Sequence, residues 1–173
     1  MAELNGLDLD QMMKLVQNAQ EDPGSAQPLN AWNARVRRLG GFKGKALIRN
    51  HTFVMDEPAD LVGKDEAPNS VEYLLGALGG CLTVGFVLNA TKRGVSIRNL
   101  ELTLESSIDN ILIFLGLSQE GHSGFKEIAV KAYVDADADE ETLQEIWQES
   151  IRSSPVGNSL SRPVIIKPAP IRV

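Results

Sequence analysis

Cys81 is the only cysteine in the chain, and it stands in the uncharged run from Tyr73 to Thr91. A thiol in such a run is either an inert core residue or a guarded redox centre. A reactive thiol needs a cation or a helix N-terminus beside it. Cys81 lies about ten residues into a predicted helix, beyond the strong reach of the helix dipole. Activation must come from another element, and the first strand offers Arg35, Arg37 and Arg38. Those arginines either face the thiol or line a solvated strand face.

The other chemical groups fail on type or spacing. Asp135, Asp137 and Asp139 imitate the start of a calcium loop. The sixth position is Glu140 rather than glycine and the twelfth is Ile146 rather than glutamate, so the loop is incomplete. These aspartates suit the cap of a following helix better. His51, His122 and Cys81 are too few ligands for a conventional zinc site. Gly121-His122-Ser123-Gly124 lacks the strand–elbow–helix setting of a hydrolase nucleophile and reads as a turn. Gly40-Gly41-Phe42-Lys43-Gly44 is not a phosphate loop. No metal or cofactor is expected.

The 173 residues suffice for one domain with a real core. The formal net charge of −6 opposes nucleic-acid binding, which needs a basic face. One cysteine rules out a disulfide framework within the chain. No basic region followed by an apolar stretch opens the sequence, so a reducing cytoplasm is the expected location. The run from Tyr73 to Thr91 approaches the length of a membrane span. Gly76, Gly79, Gly80, Gly85, Thr83 and Asn89 dilute it, and the basic flank of Lys92 and Arg93 lies on one side only. A buried central helix, and no membrane, is the expectation.

The elements that would position Cys81 follow from periodicity. Leu7–Gln20 predicts an amphipathic helix with Asp8 and Gln11 at capping-box spacing. Glu21–Pro28 reads as a linker. Strands are predicted over Trp32–Arg37, Phe42–Arg49 and His51–Met55, with a turn at Leu39-Gly40-Gly41. Asp56–Asn69 is a loop. Ser70 would cap a long helix running to Arg93, with Gly94 closing it. Gly76 and Gly80 have small-xxx-small spacing, which serves either close approach of a sheet or a second copy's helix, or local packing only. Val95–Ile108 and Phe125–Val134 predict strands, and Glu140–Ser153 a helix with Leu143, Ile146, Trp147 and Ile151 inward. Arg162–Val173, with Pro163, Pro168 and Pro170, predicts an edge strand. The order indicates an α+β fold.

Three stretches carry a family resemblance. They are Val54-Met55-Asp56-Glu57-Pro58, the helix from Glu72 to Cys81, and Ser154-Pro155-Val156. Together they resemble the OsmC/Ohr family of osmotically inducible and organic hydroperoxide resistance proteins, over roughly Trp32–Val173. The resemblance implies an OsmC-like fold, with antiparallel sheets wrapped around a long central helix in an intertwined homodimer. Residues 1–29 then form a helical arm and linker, and residues 30–173 the OsmC-like domain. Peroxidase members use two cysteines, and Cys81 matches the first. The second precedes a Pro-Val pair, where this chain has Ser154, so the internal disulfide is missing. Ohr-type members carry a glutamate ten residues before the cysteine. Val71 stands there, and Glu72 lies one step later, about 100° around a helix. The pattern resembles the OsmC-like branch that lacks the resolving cysteine.

The resemblance therefore implies a cysteine peroxidase acting on organic hydroperoxides, with a small thiol or dithiol as reductant. Cys81 would be the nucleophile, Arg37 or Arg38 the activator and Glu72 an orienting group. The alternatives are a non-catalytic dimer binding an apolar or lipid-like ligand in the interface pocket, and a dimeric stress-response protein with no small-molecule role.

Overall fold

The computed structural model describes residues 3–24 and 32–172. The chain divides into two compact units, Met1–Gly76 and Ala77–Val173.

The first unit opens with a short hairpin, β1 (Glu3–Leu4) and β2 (Leu7–Asp8), followed by helix α1 (Leu9–Glu21). Asn5 and Gly6, both at positive φ, make the hairpin turn, as an Asn-Gly pair readily does. Asp8 caps α1 by accepting the Gln11 N–H at 3.0 Å, so the expected capping pair holds. The linker reading of Glu21–Pro28 lies partly outside the described residues; Glu21 itself ends α1.

An antiparallel meander follows: β3 (Arg35–Gly40), β4 (Lys43–Ile48) and β5 (His51–Met55). The first strand begins and ends three residues later than its alternation suggested, because the turn sits at Gly41 and Phe42 rather than at Leu39. Gly41, at φ 53°, supplies the left-handed residue this tight turn needs. In the loop after β5, the buried Asp56 carboxylate accepts the backbone N–H groups of Glu57 and Glu66.

Helix α2 (Ser70–Lys92) starts in the first unit and continues through the second. Its cap is Asn69, not Ser70. The Asn69 Oδ1 accepts the Glu72 N–H at 2.9 Å, and the Glu72 carboxylate accepts the Asn69 N–H at 2.8 Å. This reciprocal pair is a capping box, and Asn69 wins because Glu72 stands three residues after it. At the other end Gly94, at φ 72°, closes a Schellman motif, with Val95 N–H donating to Ala90 O and Gly94 N–H to Thr91 O.

In the second unit a long hairpin pairs β6 (Ile97–Ile108) with β7 (Phe125–Ala136). Its tip holds a one-turn helix, α3 (Ile111–Phe114). Then come α4 (Glu140–Ser153) and α5 (Pro155–Ser161). Phe86, Ala90, Val95 and Ile146 form the buried core, with Leu100, Val134, Leu143 and Trp147 packed against it. Ile151, expected inward, is exposed, since the buried side of α4 runs through Ile146 and Ser150 and Ile151 lies about 100° around the helix from Ser150.

Two further expectations are corrected. Helix α2 is not enclosed on all sides: Leu78, Leu82 and Phe86 are buried, while Gly80 is exposed and Val84 is 68 % exposed. The helix is long and apolar enough to cross a membrane by length and composition, yet Phe86 and Ala90 seat its inner side in a protein core. Residues 163–172 form no strand. Three prolines strip donors from that segment, and Val164, Ile165 and Ile166 stand exposed in it.

Candidate functional site

Cys81 sits half-buried on α2. The structure brings one distant residue onto its sulfur: the Ser154 Oγ lies 3.2 Å from the Cys81 Sγ across 73 residues of sequence. Several local features create this contact. At Gly85 an added Cβ would lie 3.3 Å from the Ser150 Cβ, so the glycine leaves room for α4 to approach α2 closely. That approach carries the end of α4 toward Cys81.

Ser154 ends α4 and caps α5 at once, with extended backbone at φ −65° and ψ 115°. Pro155 at the first position of α5 favours this turn. The Ser154 Oγ accepts the Gly157 N–H at 3.0 Å. Asn158 donates to the Ser154 carbonyl through its backbone N–H at 2.9 Å and its Nδ2 at 2.8 Å. The Ser154 side chain is thus fixed and only 2 % exposed. Gly157 and Asn158 escaped the sequence reading, although a serine followed by proline and a glycine at the third helical position is a legible cap.

A cleft of about 510 Å³ opens beside this corner. Leu78, Leu82, Val130 and Trp147 give it an apolar floor, and Arg152 and Arg162 stand among its lining. Arg152 is paired with Glu149 through two hydrogen bonds, at 3.0 and 2.6 Å. That pairing holds the Glu149 carboxyl below the usual carboxylate range and raises Arg152.

The remaining predicted site residues belong to the first unit. Arg38 and Gly44 are opposite each other in the β3–β4 register, as are Val36 and Ala46, so all four share a sheet face with Phe53. Tyr73, in the first turns of α2, packs its ring 4.6 Å from that of Phe53 and donates from its hydroxyl to the Val54 carbonyl at 2.8 Å. Arg38 is therefore on the sheet face that the start of α2 covers, and Arg37 is on the opposite face with Arg35. The Arg38 Nε donates to the Gly41 carbonyl at 3.0 Å. Glu72 is engaged in the capping box described above. Among the described residues, no group of three or more His, Cys, Asp or Glu side chains could hold a metal ion.

The family model described as OsmC-like protein matches residues 63–168, which include both Cys81 and Ser154. An OsmC-like protein of Mycoplasma pneumoniae superposes with a TM-score of 0.65 at 16% identity, covering 76% of this chain and 87% of that one. An organic hydroperoxide resistance protein of Legionella pneumophila gives 0.56 at 16% identity, covering 75% and 88%. The organic hydroperoxide resistance protein of Bacillus subtilis gives 0.52 at 18% identity, covering 76% and 90%. At these identities the likeness is one of fold. No curated protein sequence matches the chain.

Proposed function

The chain belongs to the OsmC-like protein family, and from that premise we propose that it is a thiol-dependent reductase of organic hydroperoxides working with a single cysteine. Cys81 is the nucleophile. The observation that carries this reading is the side chain of residue 154 meeting the Cys81 sulfur at 3.2 Å. The place where two-cysteine relatives keep their second sulfur is thus still at the first. The Cys81 sulfur attacks the distal peroxide oxygen, the O–O bond breaks, and the alkoxide takes a proton and leaves as alcohol. Arg37 or Arg38 is the activator that the family resemblance implies. Glu72 keeps its capping role and orients at most indirectly. The working form is a homodimer in the cytoplasm. The exposed Gly80 and Val84 on α2 support the dimer, because an apolar helix face gains by leaving water.

The test is direct. Purified protein is mixed with cumene hydroperoxide, with and without thiol, and Cys81 is followed by mass spectrometry. Oxidation at Cys81 well above the rate of a free thiol is expected; oxidation no faster than a free thiol refutes the proposal. Light scattering should give twice the chain mass.

A second reading is favoured by the apolar cleft at Leu78, Leu82 and Trp147: a binding protein that holds an apolar ligand without turnover. A co-purifying lipid, in protein whose Cys81 fails the oxidation test, would select it.

A further inference from the structure

We propose that Ser154 is a positioning residue that aims its hydroxyl hydrogen at the Cys81 sulfur and leaves the oxidised centre to be resolved by an external monothiol. The proposal rests on the peroxidase reading above. A serine hydroxyl has one hydrogen and two acceptor lone pairs. The Gly157 N–H, 3.0 Å away, takes one lone pair. The hydrogen is then free for the Cys81 Sγ at 3.2 Å. With Ser154 only 2 % exposed, water does not compete for it. Pro155 and the two bonds from Asn158 hold the backbone that sets this direction. The O–H dipole accordingly presents its positive end to the sulfur, where the negative charge resides before attack moves it to the leaving oxygen.

The same hydroxyl cannot complete the cycle that a cysteine would. A sulfenic acid at Cys81 meets no second thiol within its own chain, which has one cysteine. In the proposed cycle a low-molecular-weight monothiol attacks the Cys81 sulfur. The S–S bond forms, the S–O bond breaks, and the hydroxide takes a proton and leaves as water. A second monothiol then attacks the mixed disulfide, releasing the small disulfide and restoring the Cys81 thiol. Two thiols supply the two electrons that turn one hydroperoxide into alcohol and water.

The experiment uses the full chain, wild type, Ser154→Ala and Ser154→Thr. Cys81 is alkylated with iodoacetamide at fixed pH, and folding is checked by circular dichroism. Alanine should slow alkylation by about three- to tenfold, the range for losing one hydrogen bond, and threonine should restore it. Equal rates in all three, or a threonine variant that is folded yet as slow as alanine, overturn the positioning role. In parallel, cumene hydroperoxide followed by one equivalent of β-mercaptoethanol should leave one mercaptoethanol adduct on Cys81, which excess β-mercaptoethanol then removes. A Cys81–Cys81 link between two chains instead of that adduct overturns the monothiol step. If hydroperoxide leaves wild-type Cys81 unchanged, the peroxidase reading itself falls, whereas the alkylation rates still decide the role of Ser154.

Discussion

Replacing Ser154 with cysteine should give this protein the internal disulfide it lacks. The Oγ–Sγ distance is 3.2 Å, against about 2.0 Å for a disulfide. The longer carbon–sulfur bond takes up part of the difference, and small side-chain rotations the rest. The bridge would close a loop of 73 residues. Loop-closure entropy for that length is worth about 4 kcal/mol. Against it stands the lost cap, because Gly157 N–H would no longer meet an oxygen. Losing a helix cap costs about 1 kcal/mol. The oxidised Ser154→Cys protein should thus be more stable than wild type by about 3 kcal/mol, and the reduced protein less stable by about 1 kcal/mol. Urea unfolding with and without reductant measures both, and thiol titration counts the free cysteines. Two free thiols after oxidation, or identical urea midpoints in both states, would show that residue 154 is not held against Cys81.

Further consequences follow from other parts of the fold. Hydrogen bonds from Thr142 hold the Asp139 carboxyl below the usual carboxylate range. A group more acidic folded than unfolded stabilises the protein above its unfolded titration point, and the gain is lost as pH falls through the folded one. Thermal melts should therefore show Asp139→Ala below wild type at neutral pH, with the gap closing in acid; a pH-independent gap would contradict the cap. Gly63→Ala should destabilise the protein by about 2 kcal/mol or more, since an added Cβ would lie 1.7 Å from the Glu57 carbonyl oxygen; wild-type stability in urea would refute this. Ile146, fully buried in the core, should cost about 2–5 kcal/mol when cut to alanine, by the same assay. Glu72→Gln should keep the rate of Cys81 oxidation and helix stability, because a glutamine can still accept from Asn69 N–H; a collapse of the rate alone would instead give the Glu72 charge a catalytic part.

Where local chemistry is decisive, the elements were legible. The ends of helix α4 are legible because Asp139 caps it and Leu143 recurs at Ile146 and Trp147 with helical spacing. Strands β6 and β7 showed in their alternation, which the register of Leu100 with Val134 and Leu104 with Val130 confirms. The N-terminus of α2 was misplaced by one residue, because serine and asparagine both make caps and only the partner at Glu72 chooses between them. The C-terminal segment differs from its strand expectation because β-propensity in Val164-Ile165-Ile166 says nothing about a strand partner, and among the described residues the segment has none. Helix α5 was missed because its seven residues carry little periodicity.

The amino-acid sequence by itself determined that there is one thiol, that it rides an uncharged helix, and that no second cysteine exists to complete an internal cycle. Only the tertiary structure decided what that thiol meets. The approach of α4 to α2 at Gly85 and Ser150, and the turn at Ser154, set a hydroxyl on the sulfur. Such a contact closes a loop of 73 residues. Its stability comes from core packing summed over both helices and the hairpin, a long-range quantity that no local pattern around Cys81 or Ser154 contains.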